Sequence, residues 1–590
     1  MKTRSFVSIL ISVVLVLLLA GGAGAYWLVS RNPLLLMEGV EQAPEASVFL
    51  SRQSPLVVSL LVHPDRLTAF GLAVTPPTQR KRVQTQWQHF RQAVFGNREL
   101  DYQQDIQPWL GNELTFAVTT PDIDRDALNG EQPGYLLAAA IRNGDKANQA
   151  IQTYWQRQAT TGVDLVFEQF AGVNLVYSDR EQATPTVGTA SETALATAVV
   201  GDRFVLFANH PKVLRDAINN LQVPELSLSR SESYQQALQQ LVQPHVGLAF
   251  VHLPQLAAWL EDTDANSSPL PPTAATATFD SVLMALRLDD QGIIADTQLL
   301  TAPGQTIEPS RPEFTQPVSA LQYIPANSPL VAAGHNLEQD WATVTANLDG
   351  YEALQKLLHQ PLDSLAQQWE TKPEEIMSWI QDEYALGLLP QENGTQSDWI
   401  FVTQQSPELS DRLTQLDQTV QQEGISIGRF TIAEQPVTAW TKLSAMSRTV
   451  ATAESKLDRK ANRKSDRSNP RESVTVQAEV QGVHASIAGY EIFATSLDAI
   501  AQCLESSQNS LVATDRFQQE IAALPSPNDG YIFVDWLALQ ETDRSTSSPL
   551  PKLKGRLAFL RPVINELRTL TFSSNGSSST AAKGTLFLRL

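Results

Sequence analysis

A chain of 590 residues exceeds one ordinary core, and 42% hydrophobic with 18% charged residues is a globular composition able to fill real cores. Its 43 Lys and Arg against 63 Asp and Glu leave a net charge of −20, which argues against nucleic-acid binding, where a basic face must meet phosphates. The single cysteine, Cys503, excludes an internal disulfide framework and a cysteine-based zinc site.

Lys2 and Arg4 precede an uncharged apolar run from Ser5 to Ser30. About 25 helical residues reach roughly 37 Å, enough to cross a hydrocarbon core of about 30 Å. Tyr26 and Trp27 stand at its far end, where amphipathic rings favour the membrane boundary, and the positive bias lies on the N-terminal side. Residues 1–31 are therefore expected to form a cytoplasmic tip and a transmembrane signal-anchor helix, with the body across the membrane. Ala23-Gly24-Ala25 offers a cleaved signal peptide as the alternative, although the apolar run continues past it to Val29. Both readings export the body.

In the body, strands are expected over Leu56–Val62, Glu113–Thr119, Tyr135–Ile141, Asp164–Phe167, Phe204–Ala208, Val246–Leu253 and Ile293–Leu300. Lys146–Gln158 reads as a helix carrying Ala147, Ile151, Tyr154 and Trp155 on one side, and His210-Pro211 opens another. Ser406-Pro407-Glu408 begins a third, continued by Leu409, Leu413, Leu416 and Val420. Thr301–Pro317 is rich in Pro, Thr and Ser and reads as a boundary; Asp262–Thr278 and Thr542–Pro551 read as loops. Arg448–Glu472 holds eight Lys and Arg against four Asp and Glu with no apolar period. It is expected to be a disordered insertion between two strands, suited to contact with an anionic surface.

A repeat runs through these elements. Tyr234–Leu253 aligns with Phe517–Trp536, 283 positions later, with seven of twenty pairs identical, among them Gly247/Gly530 and Phe250/Phe533. Tyr234, Ala237, Leu238 and Leu241 have helical spacing, and Phe517, Ile521 and Leu524 repeat most of it. Ser231 and Thr514 stand at matching N-cap positions. Ile106, Trp109 and Glu113 match Ile376, Trp379 and Glu383 at +270, Phe207-Ala208 matches Phe493-Ala494 at +286, and Pro44 and Ser47 match Pro325 and Ser328 at +281. The expected fold is α+β: two tandem, structurally similar domains with mainly antiparallel sheets, 40–300 and 319–590, joined by a linker 301–318.

Chemistry is harder to find. Gly424-Ile425-Ser426-Ile427-Gly428 spells G-x-S-x-G, but a helix is expected before it and a strand after, the inverse of a nucleophile elbow. No S-x-x-K, phosphate-binding loop or dinucleotide fingerprint occurs. His63, His89, His210, His245, His252, His335, His359 and His484 form no i, i+4 pair. Trp109/Glu113 and Trp379/Glu383 read as buried anchoring tryptophans with solvated glutamates beside them. His252, in the place of Asp535, reads as a strand-end surface residue. No catalytic, cofactor-binding or metal-binding residue is assigned, and no cofactor is expected.

The anchor, Ala43-Pro44-Glu45-Ala46, the segment Asp105–Gly111 (DIQPWLG) and the segment Val200–Asn209 (VGDRFVLFAN) together resemble an uncharacterised family, domain of unknown function 3352, common in cyanobacteria. The resemblance covers nearly the whole chain after the anchor. It implies the periplasm or the thylakoid lumen and brings no activity or site residues. The leading expectation is a non-catalytic binding or scaffold protein, held to a membrane by its N-terminal helix and meeting an envelope or thylakoid protein partner. An envelope hydrolase with an unrecognised interdomain site, or a carrier or chaperone of apolar ligands, are the alternatives.

Overall fold

The computed structural model describes residues 36–74, 101–125, 132–178, 195–260, 277–342, 380–390, 397–449, 472–542 and 567–589, apart from single residues and pairs within them. The expected anchor, residues 1–31, lies outside the described residues. So do Asp262–Thr278 and Thr542–Pro551, except for their end residues. Among the described residues no helix is long and apolar enough to cross a membrane.

Among the described residues, twenty strands form one antiparallel sheet. The first ten are β1 (Leu56–Leu60), β2 (Leu110–Thr120), β3 (Gly134–Ile141), β4 (Leu165–Phe170), β5 (Val173–Ser178), β6 (Ala196–Val200), β7 (Phe204–Ala208), β8 (Gly247–His252), β9 (Phe279–Leu288) and β10 (Gly292–Thr301). The others are β11 (Leu330–His335), β12 (Glu383–Leu389), β13 (Asp398–Gln404), β14 (Ser426–Ile432), β15 (Gln435–Thr449), β16 (Glu472–Ile487), β17 (Tyr490–Ala494), β18 (Gly530–Asp535), β19 (Thr569–Ser577) and β20 (Ala581–Arg589). Pairing in the first half runs β4-β5-β6-β7-β3-β2-β1-β8-β9-β10. In the second it runs β14-β15-β16-β17-β13-β12-β11-β18-β19-β20, the same order strand for strand.

Register agrees with order. Leu60 pairs with Leu114 and Gly247, and Gly334 pairs with Tyr384 and Gly530. Position 60 thus corresponds to 334, 114 to 384 and 247 to 530, which preserves the Glu113/Glu383 and Gly247/Gly530 matches. The match of Pro44 and Ser47 to Pro325 and Ser328 does not hold. Ser51 bridges Ser227 as Pro325 bridges Ser510, and Ser54 and Ser328 each donate a backbone N–H three residues back, to Ser51 and Pro325. Ser51 and Ser54 are therefore the counterparts, because strand register, not loop spelling, sets correspondence.

Nor does the sheet stop at 301–318. β10 pairs with β20 from Gly292↔Arg589 to Leu300↔Ala581. A Cβ on Gly292 would sit 2.1 Å from the Leu588 carbonyl oxygen, so this joint requires glycine there. Residues after β10 run along the β19–β20 turn, with Thr301, Ile307 and Ser310 donating N–H groups to Thr580, Ser579 and Ser577. Ala581 packs in the core with Phe250 and Leu283, while Ile294 packs with Val331 and Phe533. Each fully buried Leu, Ile or Phe contributes roughly 1.5–3 kcal/mol, so each half leans on the other.

Nine helices lie among the described residues: α1 (Pro64–Val74), α2 (Gly144–Thr160), α3 (Pro211–Gln222), α4 (Glu232–Gln239), α5 (Leu253–Leu260), α6 (Pro407–Gln422), α7 (Leu497–Glu505), α8 (Asp515–Ala522) and α9 (Trp536–Thr542). Local chemistry starts them. Asn143 and Ser406 accept from the N–H groups of Lys146 and Leu409, at 3.0 and 3.1 Å, capping α2 and α6. His210 Nδ1 accepts from Lys212 and Ser496 Oγ from Ala499, capping α3 and α7. Thr514 caps α8, whereas the Ser231 hydroxyl turns to Ser233 and makes no cap bond to α4. Edge-on aromatic pairs lock α4 and α8 onto their strands: Tyr234–Phe250 at 5.2 Å and Phe517–Phe533 at 5.6 Å.

Candidate functional site

Of the shared glutamates, Glu113 is buried rather than solvated and Glu383 is half-buried. Glu113, on β2 and 8% exposed, accepts from the N–H groups of Glu45 (2.9 Å) and Ala46 (2.8 Å) and from the Thr115 hydroxyl (3.0 Å). These N–H groups open the short 3₁₀ turn Glu45–Phe49 and would otherwise be orphaned donors. Glu383, on β12, accepts from Ser319 N–H (3.1 Å), the first residue of the turn Ser319–Tyr323, and from the Tyr490 hydroxyl (2.9 Å). Burial raises the Glu113 carboxyl, with the N–H bonds opposing; burial and the Glu383 bond push Tyr490 up to about 12. Trp109 is buried as expected, its indole N–H donating to the Asp105 carbonyl; Trp379 lies outside the described residues. Glu45 also pairs with Arg203, and Arg142 N–H reaches the Trp109 carbonyl. Ala43–Ala46 is thus tied to Val200–Asn209 through Glu45 and Arg203, while Asp105–Gly111 is tied to Arg142 just after β3.

The halves differ beneath the helices α2 and α6. In the first half, Trp155 on α2 donates its indole N–H to the Thr197 hydroxyl on β6 at 2.7 Å. Thr197 pairs with Phe207, and in the second half His484 pairs with Phe493, so His484 stands in the place of Thr197. By the same register Glu491 replaces the buried Val205. His484 lies between the rings of Trp440 (5.4 Å) and Phe493 (6.0 Å). Its Nδ1 is 2.8 Å from Glu491 Oε1, the distance at which an Nδ1–H donates to a carboxylate. Glu491, 2% exposed, also accepts from the Ser486 hydroxyl (2.5 Å) and the Gln405 amide (3.2 Å). His484 Nε2 faces Asp417 Oδ1 of α6 across 3.7 Å, and Asp417 accepts from the Trp440 indole N–H at 2.7 Å.

This cluster was not singled out from sequence. Ala488 and Gly489 both have positive φ (49° and 86°) and form the two-residue hairpin turn that sets Ser486 beside Glu491 and His484 two pairs further on, on the same face. Because Ser486 donates to Glu491 and not to His484, the contact between nucleophile and base that acyl transfer needs is not made.

Other titratable groups are structural. His252 is half-buried rather than a surface residue: burial lowers it to about 4, and its buried Nδ1 has no hydrogen bond among the described residues. Its counterpart Asp535 pairs with Arg516 and accepts from Ala538 N–H at the start of α9. Glu520, fully buried, receives the hydroxyls of Thr569 and Thr571, and burial raises its carboxyl. Ser426 is exposed and begins β14, after α6 and the left-handed Gly424 (φ 86°), so a helix does precede the G-x-S-x-G spelling and a strand follows. Among the described residues, no group of three or more His, Cys, Asp or Glu could hold a metal ion.

A family model described as "Protein of unknown function (DUF3352)" matches residues 10–590. The chain belongs to this family. No curated protein matches it. A solved structure titled "Structure of crystal form I of TP0453" is 8% identical, with 48% of this chain and 83% of that chain covered and a TM-score of 0.21, too low to bear on the fold. Family membership carries no activity, so the geometry of the second half is the guide to function.

Proposed function

We propose that this member of the family is a membrane-anchored, extracytoplasmic binding or scaffold protein built from two copies of one α+β unit. The apolar run Ser5–Ser30 supports the anchor, and with it the periplasm or thylakoid lumen. The identical pairing order of the two halves supports duplication.

One observation carries the binding role. β15 and β16 continue past the bulge at Trp440/Thr441 as nine further pairs, from Thr441↔Val480 to Thr449↔Glu472. β14 reaches only Thr441, and β17 pairs with β16 only from Val483 onward, so beyond Thr441 no strand among the described residues flanks this ribbon on either edge. At about 3.4 Å per residue it extends roughly 30 Å, where the first-half strands β5 and β6 are five or six residues long. Leu443 on it is 54% exposed. A lone two-stranded ribbon is marginal in water, and free edges are templates to which an extended partner segment adds. Arg448, Thr449 and Glu472 belong to these strands; residues 450–471, the rest of the basic segment, lie outside the described residues. Its charge, opposite to that of the body, suits an anionic partner surface.

The test is affinity capture with crosslinking from solubilised membranes, using the full-length chain and a variant in which a short turn replaces 441–480. A specific partner captured by the first and lost with the second is the expected result. Equal capture by both, or none by either, would sink this reading.

A further inference from the structure

We propose that Asp417, His484 and Glu491 form a proton-operated latch on helix α6. Uptake of a proton at His484 Nε2 draws in Asp417 and fastens the C-terminal half of the helix to the sheet.

Four features of the geometry lead there. First, His484 Nδ1 is already committed to Glu491, so a second proton enters at Nε2. Second, Nε2 is buried and makes no hydrogen bond, yet it faces a carboxylate oxygen at 3.7 Å. A neutral Nε2 presents a lone pair to that oxygen and repels it; a protonated one donates, once the gap closes by about 1 Å to hydrogen-bond length. Third, the C-terminal half of α6 is tied to the sheet through Asp417, which already accepts from the Trp440 indole N–H at 2.7 Å, and the latch adds to that bond. The helix buries only Leu409 and Leu413, both in its first half, whereas α2 buries Tyr154, Trp155 and Gln158 near its end. Fourth, the charged groups paired with the ring among the described residues are both carboxylates. β17 supplies Glu491 and the Phe493 ring, β15 supplies the Trp440 ring, Gln405 just after β13 donates to Glu491, and α6 supplies Asp417. A carboxylate oxygen thus stands opposite each ring nitrogen, as acceptors for two N–H groups. In the first half the same junction is the neutral Trp155–Thr197 bond, which has no proton to gain. The latch therefore adds to the binding reading a conformational control confined to one half, on the helix that precedes β14, β15 and the ribbon.

Hydrogen exchange on the full-length chain, corrected for intrinsic rates, tests this from about pH 8 to about pH 5, the range in which imidazoles gain charge. Protection of residues 414–422 should rise about tenfold on acidification, equivalent to about 1.4 kcal/mol, while protection of α2 stays level. Asp417→Asn and His484→Gln should each abolish the rise. Asp417→Asn leaves the His484–Glu491 pair in place, so it serves even where His484→Gln fails to fold. Protection of 414–422 that is level with pH in the native chain, or a rise that survives Asp417→Asn, would overturn the latch.

Discussion

Asp296 on β10 pairs directly with Thr585 on β20, and Thr585 holds in the second half the position that Asp296 holds in the first. The Thr585 hydroxyl donates to Asp296 at 3.1 Å. Arg287 donates to Asp296 at 2.6 and 3.2 Å, and the Asn575 amide donates to Thr585 at 2.8 Å from the corresponding place. The halves are thus arranged symmetrically about this pair, which ties four strands side by side.

Asp296→Ala should loosen that joint. It strands the partly exposed Arg287 guanidinium and the buried Thr585 hydroxyl, so the cost is that of a lost charge-assisted bond, about 1–2 kcal/mol after screening. Chemical denaturation of the full-length chain checks it, and an unchanged midpoint would show that the joint rests on backbone pairing and the shared core alone.

Glu113→Ala should be more damaging, by about 2–4 kcal/mol, because the N–H groups of Glu45 and Ala46 lose their acceptor in a buried place. Glu113→Gln keeps one acceptor oxygen and should lose about half as much. Comparing thermal midpoints of the two variants separates the cap from the charge.

Glu520 predicts a pH dependence. Its folded-state carboxyl is raised, so the stability it contributes is fully present below the ordinary carboxylate range, about pH 4.3, and is lost as pH rises through the raised value. The native chain should therefore weaken relative to Glu520→Gln as pH climbs from about 4. Glu113 is also raised, but it is common to both proteins and cancels from the difference. A native chain that gains melting temperature relative to Glu520→Gln as pH rises from about 4 would contradict the assignment.

Leu443→Asp should leave stability within about 0.5 kcal/mol, as for other exposed positions, while reducing partner capture. Loss of folding instead of capture would show that the ribbon packs on its own chain.

The helix–turn–strand unit of Tyr234–Leu253 and Phe517–Trp536 was legible because its determinants are local. The i, i+3, i+4, i+7 stripe ending in Tyr234 and Phe517 contacts, and the caps at Ser406 and Thr514, all act within a few residues. The identity of the family lay in the sequence too, in the short segments Ala43–Ala46, Asp105–Gly111 and Val200–Asn209. What Glu113 does there did not, since its partners Glu45 and Ala46 lie more than sixty residues away and no spacing rule links them. The same holds for the correspondence of Ser51 with Pro325, set by bridges to distant strands.

The sequence by itself determined the α+β class, the antiparallel pattern and the presence of a repeat, since hydrophobic period and turn chemistry are written residue by residue. Only the tertiary structure decided that the halves share one sheet through β10 and β20, and that Asp417, His484 and Glu491 converge where the first half has Trp155, Thr197 and Val205. The reason is physical: strand pairing and burial join groups hundreds of residues apart, and their free energy depends on contacts that no local window contains.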